Sequence, residues 1–134
     1  MPTITLSTSK KEELIDITDK VQEIVTNSKT KEGIAILQTQ HTTAGLTINE
    51  NADPDVKEDI LKALEIFDKN NYSHSEGNSP AHIKSSLMGS SLTIIIKGSQ
   101  LQLGTWQGIL FCEFDGPRSN RKIIVEIKKT VGYP

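Results

Sequence analysis

The sequence predicts an α+β fold in which helices pack on mostly antiparallel sheet. Three observations carry it. The final third of the chain is a series of apolar runs of strand length. Two helices are announced by a capping residue followed by proline, at Asp53-Pro54 and Ser79-Pro80. The remaining apolar segments are short and separated by turn residues. No internal repeat, low-complexity tract or linker divides the 134 residues, so residues 1–134 read as one domain.

Taken in order, Thr3-Ile4-Thr5-Leu6 alternates with period two and reads as a strand, as does Leu14-Ile15-Asp16-Ile17. Thr18 suits the cap of a helix beginning at Asp19, with Val21, Ile24, Val25 and Ser28 on one face. Gly33 ends the connection to a buried strand at Ile34-Ala35-Ile36-Leu37, and Leu46-Thr47-Ile48 is another extended piece. Asp53 caps a helix in which Pro54 loses no hydrogen bond at the first position. Val56, Ile60, Ala63, Leu64 and Phe67 form its apolar stripe, and Asn70-Asn71 stops it. A polar loop leads to a shorter helix from Ser79-Pro80 to Met88, ended by Gly89. Leu92 to Ile96, Gln100 to Leu103, Trp106 to Phe114 and Lys122 to Lys128 are the remaining strands. Gly98-Ser99 and the segment from Gly116-Pro117 to Asn120 supply turns between them.

Composition excludes several functions. Aromatic residues are only 4% of the chain, so the core must be aliphatic, and a net charge of −2 gives no general attraction for nucleic acid or anionic lipid. The apolar runs are far shorter than a membrane span, and the first residues lack the apolar core of a signal peptide. Cys112 is the only cysteine, which rules out an internal disulfide and a multi-cysteine zinc cage and suits a reducing cytoplasm. Flanked by Phe111 and Glu113 with no cation nearby in sequence, it reads as packing rather than a nucleophile.

The chemistry-bearing residues cluster. His41, His74 and His82 all fall in the middle of the chain, each beside polar residues, and three imidazoles suit a transition metal with one open position. Their spacing matches no local motif, and from spacing alone surface or singly bonded histidines are the simpler reading. Asn49, Glu50 and Asn51 lie in a run richer in polar residues than a half-buried strand requires. They offer a grip on a polar ligand, or else a solvated strand end. Lys84 and Ser86 sit on the helix of His82, with Ser86 on the same face as that ring and Lys84 able to reach a phosphate as a flexible point charge. Arg118 and Arg121 flank a turn, as phosphate forks or as an ordinary basic turn. Trp106, between Gly104 and Gly108, reads as a core or subunit-interface plug before a ligand-stacking ring.

Residues 41–56 (HTTAGLTINENADPDV), 73–91 (SHSEGNSPAHIKSSLMGSS) and 101–118 (LQLGTWQGILFCEFDGPR) resemble the signature blocks of the YjbQ-like family, and the resemblance covers nearly the whole chain. The departure is Ser79-Pro80, where other small or polar residues are usual; it leaves His82 in place. The resemblance implies a compact α+β sandwich, a homotrimer with polar pockets near its interfaces, and a secondary thiamine-phosphate synthase activity. In that reaction a thiazole phosphate and an aminopyrimidine pyrophosphate join with release of pyrophosphate. By resemblance, His41, His74 and His82 would be the metal ligands, and His82, Lys84 and Glu76 the catalytic groups. Asn49, Glu50, Asn51, Ser86, Trp106, Gln107 and Arg118 would contact substrate. The implied cofactor is a divalent metal, zinc or another transition ion, or magnesium with the pyrophosphate; no organic cofactor is expected. The expected partners are further copies of the chain and a small phosphorylated metabolite, with no nucleic acid or membrane. Two alternatives stand beside the synthase: a metal-dependent hydrolase of a small phosphorylated or amide substrate, and a non-catalytic trimer that binds metabolite or metal. Three imidazoles favour a transition metal over the Mg²⁺ that pyrophosphate chemistry prefers, which counts against the synthase as the evolved function.

Overall fold

A computed structural model describes residues 1–130. The elements follow as β1 (Thr3–Leu6), β2 (Glu13–Asp16), α1 (Thr18–Asn27), β3 (Glu32–Gln38) and β4 (Ala44–Glu50). Then come α2 (Pro54–Leu64), which runs into a 3-10 turn (Glu65–Lys69), and α3 (Ser79–Met88). The chain ends in β5 (Ser91–Lys97), β6 (Gln100–Leu101), β7 (Gln107–Glu113) and β8 (Arg121–Lys129).

The strands form two antiparallel sheets, a five-stranded one in the order β1-β8-β3-β5-β6 and a three-stranded one in the order β2-β7-β4. This is one sheet more than helices laid on a single sheet would require. The division follows from burial. β7 reads Gly-Ile-Leu-Phe-Cys-Glu from its second residue and is buried along that whole run, so it needs apolar neighbours on both faces. On one face Ile109 and Phe111 meet the inner side of the large sheet and Val21 and Val25 of α1. On the other, Leu110 and Cys112 meet Ala81 of α3, with Ile60, Leu61 and Leu64 of α2 packed at the margin. The result is a layered stack: large sheet, aliphatic core, small sheet, second core, helices. No helix among the described residues is long and apolar enough to cross a membrane.

Three local expectations change. Ser79 does not cap α3; it is the first helical residue, after Asn78, and no side chain caps that end. Thr18 does not cap α1; its hydroxyl donates to Asp16 and accepts the Ile109 N–H at 2.8 Å, which ties the helix start to β7 instead. Asp53 does cap α2, accepting the Asp55 N–H at 2.9 Å, but no residue of α2 is fully buried, and the helix lies as a half-covered lid over the second core.

Candidate functional site

The site is built by α3 docking on the edge strand β4. Gly45 makes the approach possible: a Cβ there would stand 2.8 Å from the Cβ of Met88 and 3.0 Å from the Gly89 carbonyl oxygen. The Ser85 hydroxyl then donates to the Thr42 carbonyl at 2.5 Å, which fixes α3 against the β3–β4 loop. His41, in that loop, and His82, on α3, therefore face a common space. His74 arrives from the loop before α3, its ring edge-on to that of His82 with centroids 5.3 Å apart and planes at 87°. The opposite wall is the turn after β7, hooked in place by Thr8, which accepts the Arg118 N–H at 2.8 Å and donates its own N–H to the Arg118 carbonyl at 2.7 Å.

The outcome is a polar, open cavity of about 450 Å³ lined by His41, His74, His82, Arg118 and Arg121. The chain contains three histidines and two arginines. All five line this one cavity.

Each group has a defined state. The Lys122 N–H donates to Nε2 of His41 at 3.0 Å, so that nitrogen is an acceptor and the neutral ring carries its proton on Nδ1. Burial, reinforced by the nearby Arg121 charge, holds the His41 imidazole below its ordinary range. Nε2 of His74 lies 3.9 Å from a carboxylate oxygen of Glu76, and both side chains reach solvent. Arg118 donates from Nε to the Asp115 carbonyl at 2.9 Å and from Nη2 to its carboxylate at 3.0 Å. Asp115 also accepts from Asn78 Nδ2 at 3.0 Å. Burial pushes the Asp115 carboxyl up, but the bonds from Asn78 and Arg118 outweigh it and hold the group below the usual range.

The metal expectation meets a specific difficulty. Three imidazoles suit a transition ion, yet among the described residues no three His, Cys, Asp or Glu side chains are set to hold a metal. Nε2 of His41 is already spent on Lys122.

Other expected site residues divide. Ser86 lines a second depression that adjoins the first and shares His41, Thr42 and His82 with it; its hydroxyl donates to the His82 carbonyl at 2.9 Å. Glu76 is on the cavity rim. Lys84 is a correction. It points to the opposite side of α3, is 1% exposed, and donates to Glu12 at 2.6 Å and Asp68 at 2.9 Å. Its ammonium ties α3 to two other segments away from the cavity lining, so it does not meet a phosphate there. Asn49, Glu50, Asn51, Trp106 and Gln107 are not at the cavity either. They sit at the far end of β4 and at the start of β7, where Glu50 pairs with Gln107. That is about 20 Å from Ala44 at the rise of a strand. Their polar groups close turns there: Asn51 donates to Asp16 at 2.8 Å, Glu50 accepts the Ala52 N–H, and Gln107 accepts the Gly104 N–H. Trp106 is 65% exposed, so it is no core plug.

A family model described as UPF0047 protein YjbQ-like matches residues 2–130. The chain belongs to that family. Among its YjbQ-like relatives, a UPF0047 protein of Methanocaldococcus jannaschii is 57% identical over 124 residues, covering 91% of this chain and 89% of its own. UPF0047 protein YugU of Bacillus subtilis is 48% identical over 122 residues, covering 89% and 92%. A YjbQ/UPF0047 crystal structure from Clostridium acetobutylicum superposes with a TM-score of 0.93 at 54% identity, over 96% of this chain and 100% of that one. A family protein of unknown function from Sulfolobus solfataricus gives 0.89 at 36% identity, over 96% of each. The α+β architecture of antiparallel sheets and three helices is thus that of YjbQ-like structures.

Asn78 and Asp115 carry no sequence signal of their own for this cavity, and Arg121 reads in sequence as a phosphate fork or as part of an ordinary basic turn. The missed signal was Glu113, a carboxylate on a strand otherwise apolar from Ile109 to Phe114, which requires a buried cation.

Proposed function

We propose that the cavity binds a small phosphorylated metabolite and carries out proton transfer on it through its imidazoles. The observation that carries this reading is the gathering of every histidine and every arginine of the chain around one space. Arg118, half-exposed on the rim, supplies donors for an anionic oxygen. The neutral His41 offers its Nδ1–H as a hydrogen-bond donor, and His82 with His74 are the groups placed to give or take a proton. Among the described residues no three His, Cys, Asp or Glu side chains are grouped for a metal, which supports assigning the imidazoles to proton transfer.

The secondary thiamine-phosphate synthase activity is the narrower form of this proposal. The pyrophosphate end of the aminopyrimidine would lie against Arg118. The thiazole nitrogen attacks the methylene carbon as the C–O bond breaks, and pyrophosphate leaves with the electron pair, protonated by His82. Proton transfer of this kind is worth about 10²–10⁴ in rate. Purified protein should therefore turn over the two synthase substrates or, failing those, members of a panel of phosphate monoesters. His82→Ala and Arg118→Ala should each lower kcat/KM by about 10²-fold or more. Full activity in both variants would overturn the proposal, as would an absence of phosphate-ester binding. Elemental analysis of the same preparations separates the hydrolase alternative: stoichiometric transition metal, lost in His41→Ala, His74→Ala and His82→Ala, would favour it. Ligand binding without turnover would favour the non-catalytic one.

We further propose the homotrimer that the family resemblance implies. What supports it is the outer face of the large sheet, where Ile95 is 63% exposed beside half-buried Ile34, Ile36 and Ile124, together with the exposed Trp106. Light scattering should give three times the chain mass, and Ile95→Glu should reduce it to one; a monomeric parent protein would refute the assembly.

A further inference from the structure

We propose that Arg121, through its Nη1 edge, is the principal anchor for the phosphate group in the cavity, with Glu113 acting as the buried counter-charge that restrains it. The inference rests on the cavity reading above and names the residue that would select the ligand.

The guanidinium of Arg121 is almost wholly enclosed. Its Nε donates to one oxygen of Glu113 at 2.8 Å, and its Nη2 donates to the other at 2.5 Å and to the Thr43 hydroxyl at 2.9 Å. Glu113 is fully buried and also accepts from the Thr8 hydroxyl at 2.8 Å. This fork is locked on one side only. Among the described residues Nη1 has no hydrogen-bond partner, while Asn78 Oδ1 is the sealed polar atom left without one. Nη1 is therefore not sealed, and the residue lines the cavity that holds the three imidazoles.

Arg118 repeats the arrangement at the rim, with Nε and Nη2 held by Asp115. The two arginines differ in burial. Arg118 is half-exposed and its charge is screened by water; Arg121 lies in a low-dielectric floor where a charge-assisted bond to an oxyanion is stronger. An arginine whose orientation is already fixed also binds without paying for rotamer order. A buried Arg–Glu pair is commonly a structural device, and such a device has no need of an open edge. Here the Arg121 side chain lines the cavity that holds the histidines, and only its Nε and Nη2 are bonded, to Glu113 and Thr43.

The ligand chemistry follows. A tetrahedral oxyanion, such as inorganic phosphate or a phosphate monoester, presents oxygens to both Nη1 and an imidazole N–H. A monocarboxylate has fewer oxygens to share and should bind more weakly.

Titration with inorganic phosphate, followed on the Nε–Hε signals of the ¹⁵N-labelled full chain, tests the inference without altering the fold. The chain has two arginines, so Arg118→Ala assigns both signals. The Arg121 signal should move with saturation, and acetate should move it far less. Arg121→Lys keeps a cation for Glu113 but loses the free edge, and should weaken phosphate binding by about tenfold. Glu113→Gln releases the restrained charge and should strengthen binding by about tenfold, seen as a larger phosphate-induced rise in Tm than in the parent. A merely structural pair predicts the reverse for Glu113→Gln. Phosphate binding with an unmoved Arg121 signal and unchanged affinity in both variants would overturn the role of Arg121 and leave the cavity reading standing. No binding of phosphate or a phosphate monoester by the parent protein would overturn both.

Discussion

Lys84 shows how a residue's type can be informative while its role is not. On a helix beside His82, a lysine looks the same whether its stem turns toward the ligand space or away from it. The direction is decided by Glu12 and Asp68, which arrive from the segment before β2 and from the 3-10 turn. Burial alone would push the Lys84 ammonium down, but the hydrogen bonds to Glu12 and Asp68 outweigh it and hold the group above its ordinary value. Removing the cation leaves two carboxylates facing one another at partial exposure, so Lys84→Ala should cost about 2 kcal/mol in chemical unfolding. Phosphate affinity of the folded variant should stay within about twofold of the parent, since Lys84 does not reach the cavity. A selective loss of binding with unchanged stability would restore Lys84 to the site. The histidines were easier to read because the chain has so few of them, and each sits in a polar segment that no core requires. Glu113 and Arg121 were harder. A buried pair separated by eight residues shows in sequence only as two charges, one of them in an apolar strand.

At the scale of elements, the legible parts were those fixed by local chemistry. α3 spans Ser79–Met88 and ends at Gly89, as the proline and glycine signals predict, with Gly89 at a φ of 96°. The strands fall where the short apolar runs place them, within one or two residues at most ends. The Thr18 cap failed because its hydroxyl had a better partner in the β7 backbone, 91 residues away, and long-range competition of that kind leaves no local trace. The partition into two sheets was illegible for the same reason. β4 is followed by α2 in sequence but pairs with β7, and β3 pairs with β8. What fixes this choice is distributed over β7, whose burial on both faces is visible in its composition but whose neighbours are not. Gly45 is the element-scale counterpart of the cavity. Its missing side chain lets α3 lie against β4, and that contact brings His41 and His82 to one space. The glycine reads in sequence as a weak point in a strand, and only the register of helix on strand explains it.

Charge pairing around the cavity links the small sheet to the β7–β8 turn and the loops, and together with Asp16 at the far end of the small sheet it sets how the whole molecule should respond to acid. Burial pushes the Glu113 carboxyl up, yet the hydrogen bonds from Arg121, Asp115 and Thr8 win and hold it below its ordinary value of 4.5. Asp16 and Asp115 are likewise held below 3.8 by their hydrogen bonds against the effect of burial. His41 is held below 6.5. Each of these groups takes up its proton more readily in the unfolded chain. Each therefore adds stability that is complete above its unfolded value and is lost as pH falls through its folded one. The loss should begin near pH 6.5 with His41 and steepen below about 4.5 as the carboxylates join. Lys84 has the opposite sign, because its folded value is raised, so its share is complete below 10.5 and is lost only as pH climbs through the folded value. The stability curve should therefore be a plateau between these limits with a two-stage acid shoulder. Urea midpoints measured from pH 8 to pH 3 check it, and Glu113→Gln should flatten the second stage while deepening the first, because the Glu113 charge holds the His41 value up. Stability that holds constant down to pH 3, or rises between pH 6 and pH 4, would mean that the buried network around Arg121 does not hold its carboxylates charged.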